Sequence, residues 1–271
     1  MLPRILLFCL LFSSTLTAQL AIEVFEEEVD KGVDLFIKND EYCPVTFVFK
    51  LQLRNMTASP MRDTLVVPAR TERFAAYKLR LSPDARQYGY GYEHTSNFGD
   101  HTTDTFTIGH VYELPFAPGT SQVVSQGYNG KFSHQGALSL DFDMPEGTPI
   151  HAARGGVVAI VEERFDRGCP SARCLEYTNE VVILHDDGTF GEYVHLRQNG
   201  ALVERGDRVE TGQLIGESGA TGFANGPHLH FSVYRQRMKG RQYIPTVFRV
   251  AGSQVPGKLE ERRRYGRPLD R

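Results

Sequence analysis

Hydrophobic and polar residues alternate along much of the chain, most regularly in its first half. Apolar residues occupy every second position over 45–53 and again over 75–81. A period of two is typical of half-buried β-strands, because successive side chains of a strand point to opposite faces. Turn-forming residues at 55–60 separate the two segments. The pattern predicts an immunoglobulin-like β-sandwich over residues 19–125.

The second half of the chain also predicts strands rather than helices. An apolar run at 181–184 is followed by Asp187-Gly188, a preferred tight-turn pair, and then by a returning strand at 190–196. On that returning strand we expect Tyr193 and His195 to share one face. Glycine-rich hairpins follow over 200–222, and the sequence contains no convincing amphipathic helix of four turns. We therefore predict an all-β protein whose second domain, residues 126–250, is an antiparallel sheet.

The strand predicted at 228–233 has one polar and one apolar face. His228, His230 and Ser232 point one way, while the apolar residues between them point the other. Two imidazoles held side by side on a stiff strand suit a metal ion, because neutral ring nitrogens are good zinc ligands. An isolated His-x-His is more often a pair of surface histidines, so a metal site requires further ligands from elsewhere in the chain.

The chain contains residues that can complete such a site. A hydrolytic zinc site needs three protein ligands, an open fourth position for water, and a nearby acid or base. His134, Asp141 and His230 can supply the ligands. His195 and His228 then remain as groups that can orient or deprotonate the water and stabilise charge on the substrate oxygen. These residue types predict a zinc-dependent hydrolase.

Short motifs of the second half follow one another in a fixed order. They are His134 and Asp141-Phe142, Pro145-x-Gly147-Thr148-Pro149-Ile150-x-Ala152, Tyr193-Val-His195-Leu196, Gly219-Ala-Thr-Gly222, and Gly226-Pro-His228-Leu-His230-Phe231. In this order, the stretch from about 126 to 233 resembles the lysostaphin or LytM-type zinc endopeptidases. The resemblance implies an antiparallel β fold with a groove across the sheet, one zinc ion in that groove, and hydrolysis of peptide bonds in peptidoglycan.

The resemblance also assigns individual residues to the site. It implies that His134, Asp141 and His230 bind zinc and that His195 and His228 are catalytic. Tyr193 precedes His195 as in many members, and we expect it to have a supporting role.

One spacing departs from the family pattern. Three residues commonly separate the first histidine from the aspartate, whereas six separate His134 from Asp141. Position 137 is Ala137, so His134 must reach the metal through a longer loop. The alternative is that His134 is not a ligand. Asp143 is a second candidate for the carboxylate, although it lies two residues nearer the Pro-x-Gly-Thr-Pro turn than the family pattern puts the ligand.

Composition and the first residues place the protein in a cellular compartment. Residues 1–18 carry one arginine, an apolar run and a small polar end, which is the layout of a cleaved secretory signal. We expect an exported protein, periplasmic or extracellular, without a transmembrane segment in the mature chain. The formal net charge of -3 argues against binding to nucleic acid. The basic residues of 251–271 predict a solvated C-terminal tail.

Export permits a disulfide among the remaining cysteines. Cys169 and Cys174 could close a small loop, and the alternative is a pair of free thiols. Cys43 is then the odd cysteine, which we expect to be a buried small apolar residue.

Two functions are consistent with these features. The first is an exported zinc endopeptidase whose substrate is a peptide of the cell wall. The second is a metal-free envelope module that binds the wall and regulates other wall hydrolases. Such a module would be expected to lack some of the five histidine and aspartate positions, and here all five are filled. The sequence therefore favours the enzyme.

Overall fold

The computed structural model of the protein describes residues 20–269, and the predicted signal segment at 1–18 lies outside them. The described chain is built almost entirely from strands, so the predicted all-β class is confirmed. In chain order they are β1 (Ile22–Val29), β2 (Gly32–Asn39), β3 (Val45–Arg54), β4 (Met56–Ser59), β5 (Thr64–Val67), β6 (Thr71–Leu81), β7 (Gly89–Phe98), β8 (Val111–Tyr112), β9 (Ser121–Gln126), β10 (Ser139–Asp143), β11 (Pro149–His151), β12 (Gly156–Glu162), β13 (Gly168–Cys169), β14 (Glu180–Leu184), β15 (Phe190–Val194), β16 (Leu196–Ala201), β17 (Arg208–Val209), β18 (Leu214–Ser218), β19 (Gly222–Phe223), β20 (His228–Gln236), β21 (Arg241–Tyr243), β22 (Val247–Phe248) and β23 (Arg264–Gly266). The single helix among the described residues is a 3-10 helix, Ala172–Tyr177. Within residues 20–269, no helix is long and apolar enough to cross a membrane.

The first seven strands form two antiparallel sheets that share one core. One sheet has the order β1-β2-β6-β4 and the other the order β5-β3-β7. Alternate apolar residues of both sheets, such as Leu35, Phe47, Leu65 and Leu79, are fully buried between them. The period-two pattern of the sequence therefore does produce a two-sheet unit. Its immunoglobulin-like character stays a prediction.

The later strands form a second two-layer unit. A large sheet runs β17-β12-β14-β15-β20-β10-β9-β23, with β21 added beside β20, and a smaller sheet runs β11-β18-β16. All pairings within these two sheets are antiparallel. Their shared core includes Ile150 and Ile215 from the small sheet and Val181 and Phe231 from the large one. Tyr112, which precedes the predicted domain boundary between residues 125 and 126, already belongs to this second core. The position of that boundary stays a prediction.

The end of the described chain is attached to the second unit at a few points, although most of its residues are exposed. β23 pairs with β9, so it covers a strand that would otherwise form a sheet edge. Leu259 lies in the second core, and Arg267 is buried and donates a hydrogen bond to the carbonyl oxygen of Phe116 at 2.8 Å. Arg262 and Arg263 nevertheless keep exposed side chains, because the backbone pairing of β23 does not depend on side-chain polarity. The tail as a separate segment stays a prediction.

The two units meet on one face of the large sheet. Cys43 is fully buried there against Val182, Phe190 and Tyr234, which confirms that this cysteine is a buried apolar residue. A buried Glu41 also pairs with Arg205 across the same boundary. Residues of the first unit therefore pack against one part of this sheet face.

We predict a stability loss in acid from His185, a buried residue that directly follows β14. Burial lowers the pKa of His185 to about 3, and the charge of Arg154 adds to the effect, while Asp187 opposes it and His110 adds slightly. The unfolded chain, with an ordinary pKa near ~6.5, binds the proton more readily. The contribution of neutral His185 to the free energy of unfolding is therefore fully present above about pH 6.5. It is lost as the pH falls toward 3, by up to about 1.4 kcal/mol per pH unit. Denaturant titrations of wild type and His185→Gln between pH 7 and pH 4 should show a steeper loss in wild type, and equal slopes would contradict the assignment.

Candidate metal and active site

Three adjacent strands of the large sheet bring the central residues of the site side by side. In the register of β9, β10 and β20, Gln126 lies opposite Asp141, and Asp141 lies opposite His230. His228 occupies the same face two residues earlier on β20, while Leu229 and Phe231 point into the core as predicted. A period-two pattern on two neighbouring strands thus places the aspartate and both histidines on one face.

His134 reaches this face from the loop between β9 and β10. The loop turns back on itself, with Asn129 and Gly136 at positive φ and the Asn129 amide donating to the Ala137 carbonyl at 2.9 Å. The amide of His134 donates to Gly130, and the ring is fully buried. The six-residue spacing to Asp141 is therefore accommodated by a compact turn.

His134, Asp141 and His230 form a group that could hold a metal ion. His134 Nε2 lies 3.1 Å from both Asp141 Oδ1 and His230 Nδ1, and these last two atoms are 2.9 Å apart. A tetrahedral zinc ion with bonds of about 2.0–2.2 Å separates its ligand atoms by roughly 3.3 Å, so the triangle has a suitable size. The donor set of two imidazoles and one carboxylate also suits zinc. The alternative ligand Asp143 is exposed and is not part of this group.

Backbone and amide groups fix the two ligands that β10 and its preceding loop supply. The His134 ring donates its Nδ1 hydrogen to the carbonyl of Gly127 at 2.9 Å, which leaves the Nε2 lone pair facing the group. The Gln126 side chain donates to the second carboxylate oxygen of Asp141 at 3.0 Å. Glu261, in the C-terminal segment, accepts a hydrogen bond from the Gly127 amide at 3.3 Å. These supporting contacts cannot be predicted from the sequence, because they join distant positions and include backbone atoms.

His195 and His228 lie beside the three possible ligands, and their ring planes are tilted by 50° to each other. Their ring centroids are 4.5 Å apart, and His195 lies 6.0 Å from His230 by the same measure. His195 donates its Nδ1 hydrogen to the carbonyl of Thr221 at 2.6 Å, and His228 donates to that of Gly226 at 2.8 Å. Each ring therefore keeps an Nε2 lone pair available to accept a proton.

Charge in the site is set by burial and by close partners. Burial alone would raise the pKa of Asp141, but the hydrogen bonds to His134 and His230 outweigh it and hold this pKa well below its usual range. Burial lowers the pKa of His195 to about 3, and the neighbouring His228 and His230 rings add to the shift. The site thus combines an ionised carboxylate with a neutral His195 near pH 7.

Tyr193 lies on the opposite side of the sheet from the metal-binding group. Its ring is fully buried against Phe231, and its hydroxyl accepts a hydrogen bond from the Ala153 amide at 2.7 Å. The predicted common face of Tyr193 and His195 is wrong, since His195 has φ of 70° and interrupts the strand alternation between β15 and β16. The supporting role of Tyr193 stays a prediction. Because the ring contacts core residues and not the metal-binding group, any such role must act through packing in the core.

Glu192 is a buried carboxylate near the site that the sequence analysis missed. It accepts a hydrogen bond from Ser232, pairs with Arg241 at 2.6 Å, and lies 3.8 Å from His230 Nε2. Burial would raise the pKa of Glu192, but the charge of Arg241 and the contacts with His230 and Ser232 together outweigh it and lower this pKa to about 2. The alternation along 190–196 predicts that Glu192 faces away from Tyr193. The partners of Glu192 cannot be predicted without the strand register.

A disulfide braces the segment that holds His195. Cys169 and Cys174 are bonded, so of the two alternatives left open by the sequence the disulfide is confirmed. β13, which contains Cys169, pairs with β19 at Gly222 and Phe223. Thr221, whose carbonyl accepts the His195 hydrogen bond, directly precedes β19. The cross-linked loop is therefore a structural neighbour of a candidate catalytic residue.

The second unit is thus a two-layer antiparallel β structure that carries a candidate metal-binding group. Residues 133–243 match the family described as Peptidase family M23. This part of the chain is therefore similar to peptidase family M23 domains, and the predicted resemblance to lysostaphin and LytM-type enzymes is confirmed.

Individual relatives match about a third or more of the chain. The chain is 41% identical over 93 residues to peptidoglycan DD-endopeptidase ShyA of Vibrio cholerae, covering 34% of this chain and 19% of that protein. It is 37% identical over 107 residues to glycyl-glycine endopeptidase ALE-1 of Staphylococcus capitis, covering 39% and 25%. The chain thus spans about a fifth to a quarter of these relatives. Among solved structures, the catalytic domain of the M23 protein EnpA of Enterococcus faecalis is 26% identical with a TM-score of 0.36, over 48% of this chain and 93% of that one.

Proposed function

We propose that the protein is an exported zinc-dependent endopeptidase that hydrolyses peptide bonds in peptidoglycan. The observation that carries the proposal is the triangle of His134 Nε2, Asp141 Oδ1 and His230 Nδ1, whose sides measure about 3 Å, with two further histidines beside it. The M23 domain and the relatives named as peptidoglycan and glycyl-glycine endopeptidases support the choice of substrate class. The disulfide supports export, because such bonds persist in oxidising compartments.

The proposed reaction divides the work between the metal and the protein. In this proposal His134, Asp141 and His230 hold the zinc ion, which when bound polarises the scissile carbonyl and makes a water more acidic. Either His195 or His228 accepts a proton at Nε2, since each ring already donates its Nδ1 hydrogen to a backbone carbonyl. The ring that has taken up this proton can return it to the leaving nitrogen. The other histidine, after taking up a proton from solvent at Nε2, would donate a hydrogen bond to the negatively charged substrate oxygen.

A combined zinc and digestion measurement tests the proposal. The mature protein should contain about one zinc per chain by elemental analysis and should release peptide fragments from purified peptidoglycan, identified by mass spectrometry. Chelation should stop the release, and added zinc should restore it. His110→Ala, which changes a histidine outside the metal-binding group, serves as the control and should behave as wild type. Absence of zinc after refolding with excess metal would refute the peptidase and favour the metal-free envelope module.

A further inference from the structure

The four histidines of the site differ in the partner of their outer nitrogen, the ring nitrogen that points away from the candidate metal position. In three of them, His134, His195 and His228, Nδ1 donates to a backbone carbonyl and Nε2 faces the site. His230 has the reverse orientation, because its Nδ1 lies within 3.1 Å of the other two possible ligand atoms. Its Nε2 instead points back along the sheet toward Glu192, whose Oε1 is 3.8 Å away.

Glu192 is fixed in this position from two other sides. The register of β15 and β20 sets it directly opposite Ser232, whose hydroxyl donates to the same Oε1 oxygen. Arg241 on β21 donates to the second oxygen at 2.6 Å. The Arg241 guanidinium also lies 4.1 Å from the centre of the Tyr234 ring, which limits its freedom. A carboxylate that is only 2% exposed is thus held at one place with its charge compensated.

We propose that Glu192, held by Arg241 and Ser232, is a positioning residue that keeps the proton of His230 on Nε2. A neutral imidazole carries one proton, so a proton on Nε2 leaves the Nδ1 lone pair free to bind a metal. A carboxylate facing the outer nitrogen of a ligand histidine selects this tautomer, orients the ring and makes the ligand nitrogen more basic. The inference rests on the proposed zinc function and adds a residue that acts on the metal through His230 without touching it.

The isosteric change Glu192→Gln removes the charge and keeps an oxygen for Ser232. We expect its zinc affinity, measured by competition with a chromophoric chelator, to fall about 10- to 100-fold, the range known for outer partners of metal ligands. The cobalt-substituted protein should also show an altered visible absorption spectrum, because that spectrum reports ligand geometry. Glu113→Gln is the matched control, since Glu113 is likewise buried and paired with an arginine, Arg249, away from the site. This control should leave both measurements unchanged.

A second variant keeps the inference testable if Glu192→Gln does not fold. Arg241→Gln retains the carboxylate but removes its clamp, and we expect a smaller loss of zinc affinity, about 3- to 10-fold. Thermal unfolding of the metal-free proteins verifies that each variant is folded. If wild type binds zinc and both folded variants keep its affinity and cobalt spectrum, the positioning role is overturned while the proposed function stands. If wild type itself binds no zinc, the proposed function and the positioning role both fail.

Discussion

His230→Ala is expected to lose its bound zinc and, with it, all measurable hydrolysis of peptidoglycan. His230 contributes the Nδ1 atom of a triangle whose other corners are His134 Nε2 and Asp141 Oδ1. Loss of an outer partner of a metal ligand already costs about 10- to 100-fold in affinity, so loss of the ligand itself should cost more than 100-fold. Elemental analysis after dialysis, together with the peptide-release assay, measures both effects.

The same experiment on His134 tests the long loop. His134→Ala should lose zinc as His230→Ala does, because its ring is fully buried with Nε2 directed at Asp141 and His230. Asp143→Asn is the matched control for the carboxylate, since Asp143 lies on the same strand but is exposed. It should keep about one zinc per chain. Zinc retained at wild-type affinity in His134→Ala would show that this histidine is not a ligand, and a zinc-free but active His230→Ala would refute the whole assignment.

Local alternation is sufficient to predict which residues of the candidate site share a face where the strands are regular. His228 and His230 are two residues apart on β20, and Asp141 pairs with His230 on the neighbouring strand. Period two fixes the face of such residues wherever the strand is regular. His134 was predicted from its type and order in the chain. Its geometry depends on a turn with two residues at positive φ, which spacing alone does not specify.

The limits of sequence-based prediction lie where regular alternation stops or where distant segments pair. At His195 a single positive φ moves the ring to the face opposite Tyr193, and a non-glycine residue gives no sign of this conformation in the sequence. The C-terminal segment looks like a charged tail, but β23 pairs with β9 through its backbone, and Glu261 bonds to the loop that holds His134. Side-chain polarity does not report such pairing.

Glu192 shows the same limit for a buried charge. Its contact with Arg241 joins residues 49 positions apart and depends on the hairpin of β20 and β21. A lone glutamate on a predicted strand is ordinarily a solvated residue. The strand register places Glu192 opposite Ser232 and near His230 on the same face. Without that register, the proposed role of Glu192 in positioning His230 could not be inferred.

His195→Ala is expected to keep its zinc and to lose about 10²- to 10⁴-fold in kcat, the usual contribution of a positioned acid or base. The ring lies outside the three-residue metal-binding group, and its Nε2 is free to accept a proton. His228→Ala should behave in the same way, because its Nδ1 is likewise bonded to a carbonyl. Zinc content and steady-state rates on a defined cell-wall peptide separate this result from that of a ligand variant.

The double variant decides how the two histidines divide the reaction. If His195 and His228 act on the same proton, the double variant should be no slower than the slower single variant, because residues that act as a unit are not additive. If one accepts the proton and the other stabilises the substrate oxygen, the losses in kcat should approach their product. Zinc missing from either single variant would mean that the ring is a ligand. An unchanged kcat in both single variants, with zinc bound, would remove these histidines from the mechanism and leave the metal-binding group without a protein base.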